Sequence, residues 1–481
     1  MAAPVNEGFG SDSHDCFTST VTYSLDSSRQ MPTRVDLRDP RRWADLADWL
    51  VVAIAAALPW STSATGILIA LWLAAFVLCF LALLPTLDFP SVRREALTFA
   101  GCLPVLLTLM ASIGMLWADV GWGERLGAFQ SFGKLLAIPL LLAHFRRSTR
   151  AKWVLAAFLL SCMVLLAVSF YLAFWPGLTW RGLPYNFAVP VKDYIAQSGE
   201  FVVCAFALLP VALGLLSKRP WTAFALFALA ILFLANVLYV SSGRTSWVVA
   251  AALLVVFAFR QFRWLNACLI VVAAILCAWA IWETSPYLRG QVGSIFVEFH
   301  EYTSDNAATR VGLRLEFWKK SISFMREAPI FGHGTGSINE LFRRSAVGEG
   351  GASVAITNNP HNQTLAVAIQ LGLVGVALLY AMWAAHLLLL CGKSMIAWFG
   401  FVVVVQNVVS CLFNSHLFDF TQGWTYVFGV GIAAGTLSRR NSAPFQSANM
   451  WQARGVASES PLEFDRGITR EETRDQGAAS H

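Results

Sequence analysis

Residues 152–175 read KWVLAAFLLSCMVLLAVSFYLAFW, an apolar run with no charge after Lys152. At about 1.5 Å per residue, a helix of this length crosses about 30 Å of hydrocarbon. Lipid offers the backbone no water to bond, so the run reads as a helix and not as a strand. Similar stretches recur along the 481 residues, of which 57% are hydrophobic and 13% charged. Soluble domains hold about 45–50% apolar residues, so a soluble fold is excluded and an all-α polytopic membrane protein is predicted. The spacing predicts about twelve spans, near 46–60, 64–85, 98–117, 128–145, 152–175, 200–216, 221–240, 245–259, 264–282, 363–390, 395–412 and 423–437.

Short connections carry their basic residues unequally. One set holds Arg93, Arg94, Arg146, Arg147, Arg150, Lys152, Lys218, Arg219, Arg260, Arg263 and Lys393, with Arg34, Arg38, Arg41, Arg42, Arg439 and Arg440 on the flanking tails. The opposite set offers Arg125, Arg181, Lys192 and Arg244. Basic residues stay with the cytoplasm, so both termini are expected there and the number of spans is even. The chain then divides into a disordered cytoplasmic tail (1–45), nine spans (46–282), one large external loop with amphipathic helices (283–362), three spans (363–437) and a second disordered tail (438–481). A connection as long as 283–362 usually carries function.

The net charge of +6 belongs to this asymmetry and is no sign of nucleic acid. Nine cysteines lie mostly inside apolar runs with no CxxC pair, so neither a zinc site nor a disulfide framework is expected. No cleavable signal peptide is read in the polar first forty residues.

Three external features carry candidate chemistry. The turn SSGRTSW (241–247) places Arg244 between two spans, either as an interfacial anchor or as a fork of donors for an anion. Thr309–Ser337 reads TRVGLRLEFWKKSISFMREAPIFGHGTGS, whose first half is a helix ended by Pro329 and the glycines after it. Helical phase puts Val311, Leu315, Trp318, Ile322 and Met325 on one stripe, and Leu313, Phe317 and Phe324 on a second. It assigns Glu316, Lys319, Lys320, Ser323 and Arg326 to the solvated face, and Arg310 and Arg314 to the narrow sector between the stripes. Two such cations need a neutralising partner, either a pyrophosphate diester or one of Glu298, Glu301 and Asp305.

The third feature is NNPHNQTLAVAIQLGLVG (358–375), where Asn359 is read as the helix cap, Pro360 as its first residue and His361 as part of the first turn. The positive end of a helix favours neutral imidazole, which can accept a proton, although a histidine here is also an ordinary satisfied polar group. GHGTG (332–336) lacks a preceding strand and a phosphate-loop lysine, so it reads as a turn. NSHLFDFTQGW (414–424) adds His416 and Asp419, which could orient another polar group or cap a helix. No metal-ligand spacing appears among these residues.

Taken in order, SGRT, RLEFWKKS with PIFGHGTGS, PHNQTLAVAIQLGLVG and NSHLFDFTQGW resemble the O-antigen ligase and polymerase superfamily. The similarity covers about residues 240–435; the earlier spans match in hydropathy alone. The resemblance implies a GT-C-like, inverting glycosyltransferase of the bacterial inner membrane that needs no metal or cofactor. Its implied donor is a glycan on undecaprenyl pyrophosphate at the periplasmic face. The implied acceptor is a lipid A-core sugar in a ligase. Carried onto this sequence, Arg244 and Arg314 would bind the pyrophosphate, with Arg310 beside them, and His361 would orient or deprotonate the acceptor hydroxyl. Asn362, His416 and Asp419 would contact substrate. The DFTQGW ending and the single large late loop favour a ligase over an O-antigen polymerase or a protein O-oligosaccharyltransferase. A transporter or flippase of an anionic lipid is the competing class, disfavoured because the ionisable groups gather on one side, apart from Lys134 and Glu200.

Overall fold

The computed structural model describes residues 40–83, 98–175, 188–241 and 243–456, and side chains from Arg41 to Arg439. Arg34, Arg38, Arg93, Arg94 and Arg181 lie outside the described residues, as does the side chain of Arg440. Helices dominate: α1 (Pro40–Ala57), α2 (Thr62–Leu83), α3 (Phe99–Gly114), α4 (Trp122–Gly133), α5 (Ala137–Arg147), α6 (Ala151–Phe174), α7 (Tyr194–Leu215), α8 (Pro220–Tyr239), α9 (Arg244–Gln261) and α10 (Trp264–Thr284). The long connection 283–362 forms α11 (Pro286–Asp305), α12 (Arg310–Glu327) and α13 (Ile338–Ser345). The bundle resumes with α14 (Gln363–Leu389), α15 (Met395–Ser410) and α16 (Phe420–Val456).

Among the described residues, 8 helices are long and apolar enough to cross a membrane, α4 and α5 counting as one across a 3-10 turn at Lys134–Leu136. The shorter apolar α3 and α15, with α1 and α16, account for the other expected spans. The molecule is an all-α polytopic membrane protein. Helix limits differ from the expected tails at both ends. α1 already opens at Pro40, because proline suits a helix start, and α16 continues past 437 to Val456.

Burial follows the lipid-solvent rule. Among the 8 apolar spans α7 is the most enclosed, 67% buried over its most apolar window, whereas α10 is 6% buried and turns Leu269, Ile275 and Trp279 outward. Lipid is as apolar as these side chains, so helix association rests on close fit. On α16, Gly431 and Gly435 stand one turn apart: a Cβ on the first would lie 2.5 Å from the Leu141 side chain of α5, and on the second 2.6 Å from the Leu142 carbonyl. Gly435→Val is expected to cost about 1–3 kcal/mol by overpacking, read as a lower thermal unfolding midpoint of the purified chain. An unchanged midpoint would mean that α5 can simply back away.

Polar contacts sort the connections into two ends. At one, His144 of α5 meets Asp48 of α1 at 2.8 Å, Arg150 reaches Asp45 and Asp48, Arg439 donates to the Ser148 carbonyl, and Arg260 donates to the Leu390 carbonyl. These are the basic connections grouped by sequence. At the other end, Lys192 bonds the Leu58 carbonyl and Thr421 Oγ1, and the Thr335 N–H bonds the Gly114 carbonyl.

The long connection is fastened to this second end through a break in α14. Gly372 has φ 63° and ψ −161°, so the helix loses its own ladder there. The segment around GHGTG takes the freed groups: His333 N–H bonds the Ile369 carbonyl, Gly334 N–H the Gln370 carbonyl, and Leu373 N–H the Pro329 carbonyl, at 2.8, 2.9 and 2.8 Å. GHGTG therefore turns, as expected, and also completes the broken span. Phe317 and Phe324 of α12 pack with Phe342, Ile338, Ala366 and Ile369 in a separate apolar core.

One helical-face assignment needs correction. Glu316 is 3% exposed rather than solvated, accepting from Tyr302 Oη at 2.8 Å and Ser353 Oγ at 3.1 Å. It sits beside Phe317 on the packed side of α12, and these donors replace the water it loses. Burial and the carboxylate push the Tyr302 phenol up to about 12.

Candidate functional site

Arg244, Arg310 and Arg314 come from two helices far apart in sequence and line one cavity of about 460 Å³ with Tyr194 and Gln291. Arg244 is the first residue of α9, after Gly243, so its side chain leaves the helix start toward α11. Its Nη2 donates to Ser294 Oγ at 3.3 Å and lies 3.7 Å from Glu298 Oε1. Arg310 opens α12, which Thr309 caps through the Gly312 N–H, and Arg314 follows one turn later. Arg310 is exposed and Arg314 half-buried, so the two do not share the sheltered position expected of them. Arg310 is the first residue of α12, so its side chain has no preceding helical turn to pack on.

Glu298 therefore answers Arg244, while its other oxygen accepts the Val311 N–H at 3.0 Å. Among the described residues no carboxylate stands within 4.0 Å of Arg310 or Arg314. Three guanidiniums against one carboxylate leave two positive charges for a ligand to match. Burial, then the neighbouring cations Arg244 and Arg310, hold Arg314 below arginine's usual value against the pull of Tyr194 and Glu298. Arginine does not deprotonate in proteins, so an anion relieves this site.

His361 lies within electrostatic reach of Arg314. It does not lie in the first turn of α14. The helix starts at Gln363, Asn362 is the cap, and His361 has φ 55°. Asn359 is drawn away from capping: its Oδ1 accepts the His361 N–H and its Nδ2 donates to Asn414 Oδ1, both at 2.8 Å. The true cap, Asn362, accepts the Leu365 N–H and donates to the Leu412 carbonyl, each at 3.1 Å. Each polar end of Asn362 bonds the protein once, which gives it a structural role at the start of α14.

The imidazole ring stacks on Phe317, with centroids 6.0 Å apart, and its Nδ1 lies 2.9 Å from Asn414 Oδ1. Asn414 has one sensible orientation, because its Oδ1 also accepts from Asn359 and its Nδ2 donates to Asp419 Oδ2 at 3.3 Å. His361 Nδ1 therefore carries the proton and Nε2 presents a lone pair. Burial first, then the charge of Arg314, lower the His361 pKa, against the Asn414 hydrogen bond. Neutrality is as expected, although burial dominates it. Asn414 was not singled out from sequence; its role depends on Asn359 and Asp419 reaching it from either side.

Asp419 borders two further cavities. One, of about 490 Å³, is lined by Asn339, Asn358, Asn359, Gln370 and Glu124; the other, of about 650 Å³, by Lys192, Asp193 and Thr421. Burial raises the Asp419 pKa to about 6, against Lys134, whose Nζ bonds the Phe418 and Asp419 carbonyls. His416 is 3% exposed, with both ring nitrogens unpartnered and Nε2 4.0 Å from Asp419 Oδ2. Burial, Arg314 and His361 bring its pKa down to about 4. No cluster of three His, Cys, Asp or Glu suited to a metal occurs among the described residues.

Residues 229–380 match the protein family described as O-antigen ligase. The similarity to that family's domain is confined to this part of the chain. The matched stretch runs from α8 into α14 and contains Arg244, Arg310, Arg314 and His361, whereas Asn414, His416 and Asp419 lie beyond it. A Haemophilus influenzae protein described as uncharacterized is 25% identical over 251 residues, 50% of this chain and 60% of that protein. The chain thus spans less than two thirds of the length of this curated relative.

The imidazole arrangement gives a pH prediction. With His361 as the base of a transfer reaction, activity would persist below the usual histidine range and fall only as pH drops through the lowered value. Asn414→Asp faces the ring with a carboxylate, raises its pKa and should move that fall to higher pH. Asn414→Ala should slow transfer about tenfold, the worth of one orienting hydrogen bond. Identical pH–rate profiles in all three proteins would remove Asn414 from the mechanism.

Proposed function

We propose that this chain is an O-antigen ligase, transferring a glycan from undecaprenyl pyrophosphate to a sugar of lipid A-core at the periplasmic face of the bacterial inner membrane. The observation that carries the reading is the cavity of Arg244, Arg310 and Arg314, with two positive charges left uncompensated and Arg314 close enough for its charge to act on His361. A pyrophosphate diester brings two negative charges and planar oxygen pairs that suit guanidinium forks. The acceptor hydroxyl oxygen attacks the anomeric carbon in line, its proton passes to His361 Nε2, and the bond to the pyrophosphate breaks. The arginines stabilise the charge that collects on the departing lipid pyrophosphate. The amide-lined cavity next to Asn359 and Asp419 suits the acceptor sugar, whose hydroxyls can exchange hydrogen bonds with Asn339, Asn358 and Gln370. Asp419, with His416 behind it, borders that side of the site.

The basic connections support a cytoplasmic location for their end and for both termini. Purified full-length protein, lipid-linked glycan and rough lipopolysaccharide should yield glycan-bearing lipopolysaccharide. Elongated carrier lipid without modified lipopolysaccharide would mark a polymerase instead, and modified protein acceptor an oligosaccharyltransferase. The buried Glu200, whose carboxylate oxygens have no hydrogen-bond partner, favours the transporter reading. Movement of carrier lipid across liposomes without glycosyl transfer would establish it. Transfer in excess EDTA is expected at the full rate; loss of activity that added metal restores would refute the arginine-based account.

A further inference from the structure

At the end of the bundle remote from the arginine cavity, a cleft of about 300 Å³ opens between α6, α7, α15 and α16. Its body is apolar: Leu155 and Leu159 of α6, Ala207 and Leu208 of α7, and Ile396 and Phe399 of α15. Its mouth is basic, with Lys152 and Arg439 beside Thr149. The helical rise from Ala151 to Leu159 gives a depth of about 12 Å.

The cations at this mouth differ from their neighbours. Arg150 is held by Asp45 and Asp48, and Arg260 by the carbonyls of Leu390 and Gly392. Among the described residues Lys152 has no carboxylate within 4.0 Å, and Arg439 donates to the Ser148 carbonyl at 2.8 Å with further N–H groups to spare. No side chain caps the start of α6, so its first N–H groups add to the positive field at the mouth.

We propose that the cleft binds one anionic phospholipid, an acyl chain lying in the apolar body and the phosphate between Lys152 and Arg439. An apolar body excludes water as a stable occupant, and a narrow cleft between four helices admits one chain. The cations select the headgroup. Phosphatidylglycerol leaves its negative charge unopposed, whereas phosphatidylcholine carries its own cation to the same place.

Purified full-length protein would be equilibrated with phosphatidylglycerol or phosphatidylcholine and the retained lipid counted by native mass spectrometry. One phosphatidylglycerol per chain is expected, retained at least about fivefold over phosphatidylcholine, with preference near parity in Lys152→Gln/Arg439→Gln. Ala207→Phe, which fills the body, should remove the retained lipid of either kind. Equal retention of the two lipids by the wild-type chain, or undiminished retention by Ala207→Phe, overturns the proposal. Should Ala207→Phe fail to fold, the surface double variant decides: parity supports the site and an unchanged preference refutes it.

Discussion

His361→Ala is expected to lower glycosyl transfer by about 10²–10⁴-fold, the usual contribution of a positioned acid or base, while donor affinity stays within about twofold. The split follows from where the side chain stands. Its Nδ1 is committed to Asn414, its ring to Phe317, and the cavity lined by Arg244, Arg310 and Arg314 does not depend on it for any wall. Loss of the ring also removes a neutral neighbour of Arg314 and not a counter-ion, so the cations that meet the donor keep their charge. Titration with lipid pyrophosphate and a single-turnover transfer assay on the same protein separate the two effects. Transfer within tenfold of wild type would exclude His361 as the proton acceptor.

Arg314→Lys should act in the opposite sense, weakening donor binding by about ten- to a hundredfold, the cost of exchanging a two-toothed hydrogen bond to an anion for a point charge. Arg314 is half-buried, as Arg244 is, but unlike Arg244 it is not held by a carboxylate, so its donors are available to the ligand. Arg326→Lys, at an exposed position on the same helix, should leave affinity unchanged. A loss of affinity that disappears at high salt would point to diffuse attraction instead of a fork.

The spans were legible in sequence because lipid imposes a length and an apolar composition on each of them. The three arginines and His361 were legible as motifs, and the cavity unites Arg244 with a pair whose helical spacing already made them neighbours. The start of α14 was not legible. Asn359 and Asn362 both have the chemistry of a cap, and the choice is made by long-range bonds: Gln363 N–H to the Cys411 carbonyl at 2.9 Å and Asn362 Nδ2 to the Leu412 carbonyl. Glu316 misled for a similar reason, since its partner hydroxyls, Tyr302 and Ser353, come from outside its helix. Helical phase finds faces but not the donors that make a buried charge tolerable.

The seam between α14 and the segment around GHGTG bears on how substrates arrive. A Cβ at Gly372 would lie 2.2 Å from the Ile330 carbonyl oxygen, and one at Gly332 2.5 Å from the Gln370 carbonyl carbon. Backbone meets backbone there, and lifting the segment would strip hydrogen bonds from a span that has no water to replace them. The helices of the long connection are thus riveted to the bundle at this seam and cannot swing away from it as a flap. On the proposed function, glycan and lipid tail would therefore reach the arginine cavity past fixed helices and not beneath a moving lid.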